Sequence, residues 1–278
     1  MEVSRHYNKH RPRAQSSSEL VGIRSYHNYV KACLINGAVK STSQSGTTDR
    51  YLDMCCGNGG DIGKLTHHDI KQYFGIDIAN MAVSRAEQRL SEQQKIQGDV
   101  IAFNAFSSTA GHMLSNMQSF DIVSCQFAIH YAFENEQTAR TFIQNVAFAL
   151  RVGGSFIVTV PDADYLARCY KYLGKKFGDN HHQVHFDTLT FKDGSFDDFG
   201  TAYEFSFTGA VENLKEFIVK KHVLVQLCQD CGMELLETQN FAEYRDHHDA
   251  LRTRMGAVYH PVSGIYRAYH FIMNIHES

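Results

Sequence analysis

The chain has 278 residues, 43% hydrophobic and 12% aromatic, which is ample apolar mass for a core and excludes wholesale disorder. Lysine and arginine number 27 against 30 acidic residues, a formal net charge of −3, so any nucleic-acid contact has to come from a few placed basic groups. No apolar run approaches the ~18–20 residues of a membrane span. The charged start MEVSRHYNKHRPR is expected to be no secretory signal, and seven cysteines, an odd number, fit reduced thiols better than a disulfide framework.

Residues 1–15, with Arg5, His6, Lys9, His10, Arg11 and Arg13, read as a flexible basic arm. Ser16–Ser18 offer N-caps to a helix that turns Leu20, Ile23, Val30 and Leu34 inward and takes Gly37 as its stop. Ser41–Asp49 is a solvated connector. Strands and helices then alternate. YLDMC, YFGID, VIAFN, FDIVSCQFA and SFIVTV are short apolar strands, the last ended by Pro161. KLTHH suits a short helix. ANMAVSRAEQRLSEQQ suits an amphipathic one with Ala79 first and Met81, Val83, Ala86 and Leu90 inward, and EQTARTFIQNVAFAL a helix closing on Gly153-Gly154. Such alternation over ~110 residues implies a doubly wound α/β architecture, a parallel sheet with helices on both faces.

After Pro161 the rhythm breaks. DADYLARCYKYLGKK reads as a helix, and residues 178–213 as a small antiparallel insertion. LKEFIVKKHVLVQLCQDCG reads as a helix stopped by Gly232, followed by sixth and seventh strands in MELLETQNF and GIYRAYHFIMNI. Residues 16–278 are therefore expected to form one domain, with the insertion contributing to the substrate site.

The glycine turn DMCCGNGGD (Asp53–Asp61) sits between strand and helix. Gly57, Gly59 and Gly60 allow close backbone approach and positive φ, and amides at a helix start favour an anion. The dinucleotide fingerprint started at Gly57 requires Gly or Ala at position 62, which is Ile62, and the GK[ST] of a P-loop is absent. Asp53, Gly57 and Gly59 fit the pattern of an S-adenosylmethionine site instead. Asp77, at the end of the second strand, suits the two ribose hydroxyls, with a plain helix N-cap as the bland reading. Together they put methyl transfer ahead of hydride transfer.

FDIVSCQFAIHYAFE is more specific. With HYN near the start, HNYVKACLI, LDMCCGNGGD and GIDIA, it resembles the eukaryotic and viral mRNA cap guanine-N7 methyltransferases, from about His6 to about Phe271. The resemblance implies the class I, Rossmann-like methyltransferase fold, with seven mostly parallel strands. It implies that Lys31 meets the methionine carboxylate of S-adenosylmethionine. The turn, with Asp53, Gly57 and Cys55 (where the family usually has glycine), would hold the donor, Asp77 its ribose, and Gln126 and Tyr131 would line its pocket. Phe106 falls where the family has an aspartate near the adenine, so an apolar ring would pack there. For the cap, Lys64 and Arg89 match the phosphate-binding bases. Asn58 replaces a lysine, so triphosphate binding is expected to be weaker there or compensated by Arg5–Arg13. His130, Pro161, Glu216 and Tyr266 match the guanine site, Glu216 pairing with the N1 and N2 edge.

The implied reaction is methylation of guanine N7 in the 5′ GpppN cap by in-line attack, without a catalytic acid or base and without a metal. Its partners would be a capped RNA 5′ end and a capping-apparatus or stimulatory subunit, with no membrane. Residence would be nuclear, or cytoplasmic for a viral chain. Rival readings are a small-molecule acceptor and a catalytically weak cap-binding module. Zinc on Cys228 and Cys231 with His247 and His248, or a metal on His181, His182 and His185, is outweighed by packing and a solvated loop. Tyr165, Tyr170 and Tyr172 suit packing better than RNA stacking.

Overall fold

A computed structural model describes residues 18–187, 191–192, 195–208, 211–246 and 250–274. The basic arm at 1–15, the caps at Ser16 and Ser17, and His247 and His248 lie outside the described residues.

The described residues open with helix α1 (Ser18–Thr42) and continue through β1 (Arg50–Met54), α2 (Ile62–Leu65), β2 (Gln72–Asp77), α3 (Asn80–Ser91), β3 (Gln97–Ala102), α4 (Ser108–Ser115) and β4 (Phe120–Gln126). A 3-10 turn at Ile129–Glu134 leads to α5 (Glu136–Ala149), β5 (Leu150–Pro161) and α6 (Ala163–Leu173). The short strands β6 (Lys176–Gly178), β7 (His182–Phe186), β8 (Phe191–Lys192) and β9 (Ser195–Phe196) precede β10 (Ala202–Phe207) and β11 (Val211–Phe217). The last described elements are α7 (Lys221–Gln229), β12 (Met233–Asn240), α8 (Ala250–Arg254) and β13 (Tyr266–Met273).

Seven strands form the central sheet in the order β12-β13-β5-β4-β1-β2-β3. The five from β3 to β5 are parallel, and β13 and β12 complete the sheet antiparallel. This is the doubly wound architecture the alternation implies. Period-two alternation splits the strands between two cores. Tyr51, Tyr73, Ile122 and Ile157 face one core with α1, α3 and the antiparallel sheet. Leu52, Met54, Val123, Cys125, Phe156 and Val158 face the other with α5 and α7. The segment between α6 and α7 carries a four-stranded antiparallel sheet, β11-β10-β7-β6, somewhat wider than the expected 178–213.

Four local expectations are corrected. Gly37 does not stop α1, which runs to Thr42; the glycine packs toward His270, where an added Cβ would lie 4.0 Å from Nδ1. Met81 is exposed and Ala82 takes the inward place on α3. The helix α5 ends at Ala149, and Gly153 and Gly154 belong to β5. LKEFIV is not helical: its Leu214–Phe217 part is strand β11, and the helix starts at Lys221. Among the described residues no helix is long and apolar enough to cross a membrane.

Candidate functional site

The glycine turn joins the carboxyl end of β1 to α2. Its backbone is left-handed at Cys55 (φ 68°), Gly57 (φ 53°) and Gly59 (φ 69°). A Cβ at Gly59 would stand 2.7 Å from Ile62 Cδ1 and 3.0 Å from Ala86 Cβ, whereas one at Gly57 would meet nothing within 4 Å. Gly59 thus lets α3 close onto the turn, and Gly57 serves φ alone. The amides of Cys55 and Cys56 donate to Ile76 O at 2.7 and 3.0 Å, strapping the turn to the end of β2.

Asp77 completes the strap. Its Oδ2 accepts the Gly57 N–H at 2.8 Å and its Oδ1 the Ala79 N–H at 2.9 Å. The plain N-cap reading is not met, since Ala79 takes the N-cap place without a side-chain cap, and each Asp77 oxygen keeps a further lone pair. Burial pushes the Asp77 pKa up, and the backbone donors pull against it.

Beside the turn lies a buried ionic cluster that sequence reasoning missed, built on Asp61. Lys31 Nζ lies 2.8 Å and Lys64 Nζ 2.7 Å from Asp61 Oδ1. Burial alone would raise the Asp61 pKa, but the two ammonium groups outweigh it and hold it at about 2. Lys64 also donates to Asn28 Oδ1 at 2.9 Å and Gly60 O at 3.0 Å, so all three of its hydrogens are taken. Asp53 lies beneath, 2% exposed, accepting from Tyr73 Oη at 3.0 Å; burial first, then the Asp61 charge, pushes its pKa up to about 7. Asn58 is exposed on the turn and accepts from Arg85 Nη1 at 3.3 Å; Arg89 is exposed one turn further along α3. Phe106 packs edge-on against Phe142, ring centroids 5.2 Å apart.

The end of β4 carries the other half. Gln126 donates through Nε2 to Ser124 Oγ at 2.9 Å, while its Oε1 is buried without a partner. Phe127 follows at φ 57°, a costly conformation for a bulky residue. Its ring stands between Lys31, whose Nζ is 5.9 Å from the centroid, and Tyr266, 4.8 Å away edge-on. The rings of His130 and Tyr131 lie 4.2 Å apart between centroids, tilted by 52°. His130 is 2% exposed, yet neither ring nitrogen has a hydrogen-bond partner. Its Nε2 faces Glu216 Oε1 at 3.5 Å without the alignment of a hydrogen bond.

Glu216, on β11, is paired in register with Tyr203 on β10, and Tyr203 Oη donates to Glu216 Oε2 at 2.7 Å. Pro161 and Tyr266 are direct cross-strand partners on β5 and β13. The fold therefore brings His130 to Glu216, and Pro161 to Tyr266. Phe127 lies between Tyr266 and Lys31. Sequence reasoning missed Tyr203, Phe127 and His27. The last lies in the quoted HNYVKACLI segment, 5.3 Å from Tyr266 and 5.7 Å from Phe127 between ring centroids. Burial and the Lys31 charge push its pKa down to about 3, so it stays neutral.

The remaining motifs do not join this site. Cys228 is buried and Cys231 half-buried at a helix end. His182 pairs with Asp179 at 3.0 Å and His185 with Glu204 at 3.4 Å, so the three histidines do not converge. His181 instead meets Glu19 at 3.0 Å, and His260 approaches the same carboxylate at 3.2 Å. His260 Nδ1 accepts the Val262 N–H, which leaves the proton of the neutral ring on Nε2, facing Glu19. Tyr170 packs edge-on against Phe186, Tyr165 is half-buried, and Tyr172 is exposed.

The model of the mRNA (guanine-N(7))-methyltransferase domain family matches residues 1–258. The chain belongs to this family. Relatives named mRNA cap guanine-N(7) methyltransferase include one from Lodderomyces elongisporus, 32% identical over 283 residues, covering 87% of this chain and 49% of the relative. One from Drosophila melanogaster is 32% identical over 262 residues, covering 87% of this chain and 60% of the relative. The chain thus spans about half to three-fifths of these relatives' lengths. Among solved structures, a magnesium protoporphyrin IX methyltransferase from Synechocystis with bound SAH aligns with TM-score 0.54 at 13% identity, covering 98% of this chain and 92% of that one. A putative S-adenosylmethionine-dependent methyltransferase from Listeria monocytogenes aligns with TM-score 0.56 at 12% identity, covering 91% of this chain and 100% of that one. These likenesses establish the class I methyltransferase fold for the family member described here.

Proposed function

We propose that this chain transfers the methyl group of S-adenosylmethionine to guanine N7 of the 5′ GpppN cap of mRNA. The observation that carries the reading is the pair of unsatisfied buried groups in the QF-x-x-H segment. Of the five unpartnered buried side-chain atoms among the described residues, three belong to Gln126 and His130. A native fold leaves buried polar atoms bare where a ligand completes them. In this reading Gln126 Oε1 would serve the donor and His130 the cap guanine, with the buried Glu216 carboxylate 3.5 Å from His130 Nε2.

The turn, Asp77 and Lys31 suit S-adenosylmethionine, which supplies a methyl group on a sulfonium. Lys31 would take the methionine carboxylate, and Asp61 beside it an ammonium. Asp77 would take the ribose, and Phe106 with its apolar surroundings the adenine. Guanine N7 carries an in-plane lone pair that is unprotonated at neutral pH. It attacks the methyl carbon directly, and the carbon–sulfur bond breaks with its electron pair staying on sulfur. No proton moves, so no general base is assigned. Alignment is the main contribution, worth ~7–11 kcal/mol in favourable cases. The guanine becomes cationic, and the Glu216 carboxylate on its edge stabilises that charge. We place the reaction in mRNA processing, in the nucleus or, for a viral chain, the cytoplasm.

The test is incubation with labelled S-adenosylmethionine and GpppA- or GpppG-capped RNA, then digestion and identification of the labelled nucleotide. Label in 7-methylguanosine is expected, and Glu216→Gln should lose it while still binding the donor. Label on another nucleotide, or on small acceptors alone, defeats the reading.

A further inference from the structure

The triphosphate of a cap brings three to four negative charges to the rim of the glycine turn. Of the two cations expected there from sequence, Lys64 is engaged within the protein, whereas Arg89 forms no ion pair among the described residues. Lys64 spends its three hydrogens on Asn28, Gly60 and Asp61. Lys31, expected at the donor's carboxylate, is tied to the same Asp61. Asn58 carries no charge. Over Asn58, however, lies the guanidinium of Arg85, whose Nη1 donates to Asn58 Oδ1 at 3.3 Å. That bond uses one of five donors. Among the described residues neither Arg85 nor Arg89 forms an ion pair, so both charges are available to an anion. They stand four residues apart on α3, on one face of the helix. A planar guanidinium suits bidentate phosphate binding better than a lysine point charge.

We propose that Arg85, positioned by Asn58, binds the 5′–5′ triphosphate of the cap above the glycine turn and supplies the charge that Asn58 lacks. This rests on the functional reading above. It makes the turn self-sufficient for phosphate binding, with no need of the basic arm at that point.

The test uses Arg85→Ala, Arg85→Lys and Arg85→Ala combined with Asn58→Lys. Affinity for the free GpppG cap analogue and for S-adenosylhomocysteine is measured by calorimetry, and KM and kcat are measured with GpppA-capped RNA. Arg85→Ala should weaken GpppG binding and raise KM about tenfold or more, the loss of one charge-assisted bond. S-adenosylhomocysteine affinity should not change, and Asn58→Lys should restore most of the GpppG affinity. Wild-type GpppG affinity in Arg85→Ala overturns the proposal. So does an equal loss of S-adenosylhomocysteine affinity, which would mean that Arg85 merely props the turn. If the wild type binds GpppG but transfers no methyl group, the methyl-transfer reading falls while Arg85 is still judged on GpppG affinity. If it does not bind GpppG, both fall.

Discussion

At the scale of single residues, the two carboxylates proposed for the site, Asp77 and Glu216, are each held by a different kind of partner. Asp77 is fastened by backbone amides, Gly57 on one oxygen and Ala79 on the other. Asp77→Asn leaves one acceptor oxygen where two amides need one each, and sets an NH2 group against the other N–H. Donor affinity should fall at least about tenfold, from hydrogen bonds to a charged group worth ~1.5–3 kcal/mol each. The melting temperature should fall with it, because the turn loses its strap. Calorimetric titration with S-adenosylhomocysteine and a thermal scan check both; unchanged donor affinity removes Asp77 from the pocket. Glu216 depends on a side chain instead. Tyr203→Phe deletes the hydroxyl 2.7 Å from Oε2 and leaves the ring in place. A buried carboxylate that has lost a donor shifts toward His130 or takes in water. The expected result is kcat/KM for capped RNA lower by about tenfold to a hundredfold at unchanged donor affinity. Wild-type kinetics would show that Tyr203 merely packs.

At the scale of elements, the glycine turn separates two demands that look alike in sequence. Gly59 needs both left-handed φ and the absence of a side chain, because α3 is packed onto it at Ala86. Gly57 needs only the φ. Gly57→Ala should therefore cost about 1–2 kcal/mol, the left-handed penalty. Gly59→Ala should cost about that again in steric displacement and should also weaken donor binding. Denaturant unfolding of the two variants decides it, and equal losses would mean that packing at Ala86 yields freely. The same turn shows why much of the fold was legible: strand, glycines, acid and helix fall at spacings only a βαβ unit satisfies. Cys55 at φ 68° likewise gives a backbone reason for the glycine usual there. Legibility failed where periodicity is ambiguous. Leu214, Phe217 and Ile218 are spaced like a helix face, yet β11 buries Leu214 and Glu216 toward one side as a strand. Glu216 thus lies on a strand, not on the expected helix. Tyr203 and Asp61 escaped notice because a cross-strand partner thirteen residues distant and a salt bridge across 30 residues leave no local pattern.

Across the whole molecule, the same burial that builds the site sets the response of stability to pH. Burial pushes His270 down to about 4, and burial with the Lys31 charge pushes His27 to about 3. His68 and His182 shift downward as well, mainly by burial. A histidine with a lowered folded pKa binds fewer protons folded than unfolded. Its stabilisation is therefore complete above the unfolded value of 6.5 and is lost as pH falls toward the folded value. Asp53 works in the opposite direction. Raised from 3.8 to about 7, it binds its proton more firmly when folded, so its contribution is complete below 3.8 and is lost as pH rises to 7. The raised Asp77 adds to that second effect. Between the two windows four histidines oppose two carboxyls, and the histidines prevail. The melting temperature should climb as pH rises from about 4 to 6.5 and level off beyond it. His270→Gln, which can still reach Ser155, should flatten the climb, whereas Asp53→Asn should steepen it by removing the opposing group. Thermal scans of the three proteins across that range settle the matter. A wild-type melting temperature that falls on approach to neutrality would mean that the buried carboxyls of the donor side, rather than the buried imidazoles, govern the fold's acid response.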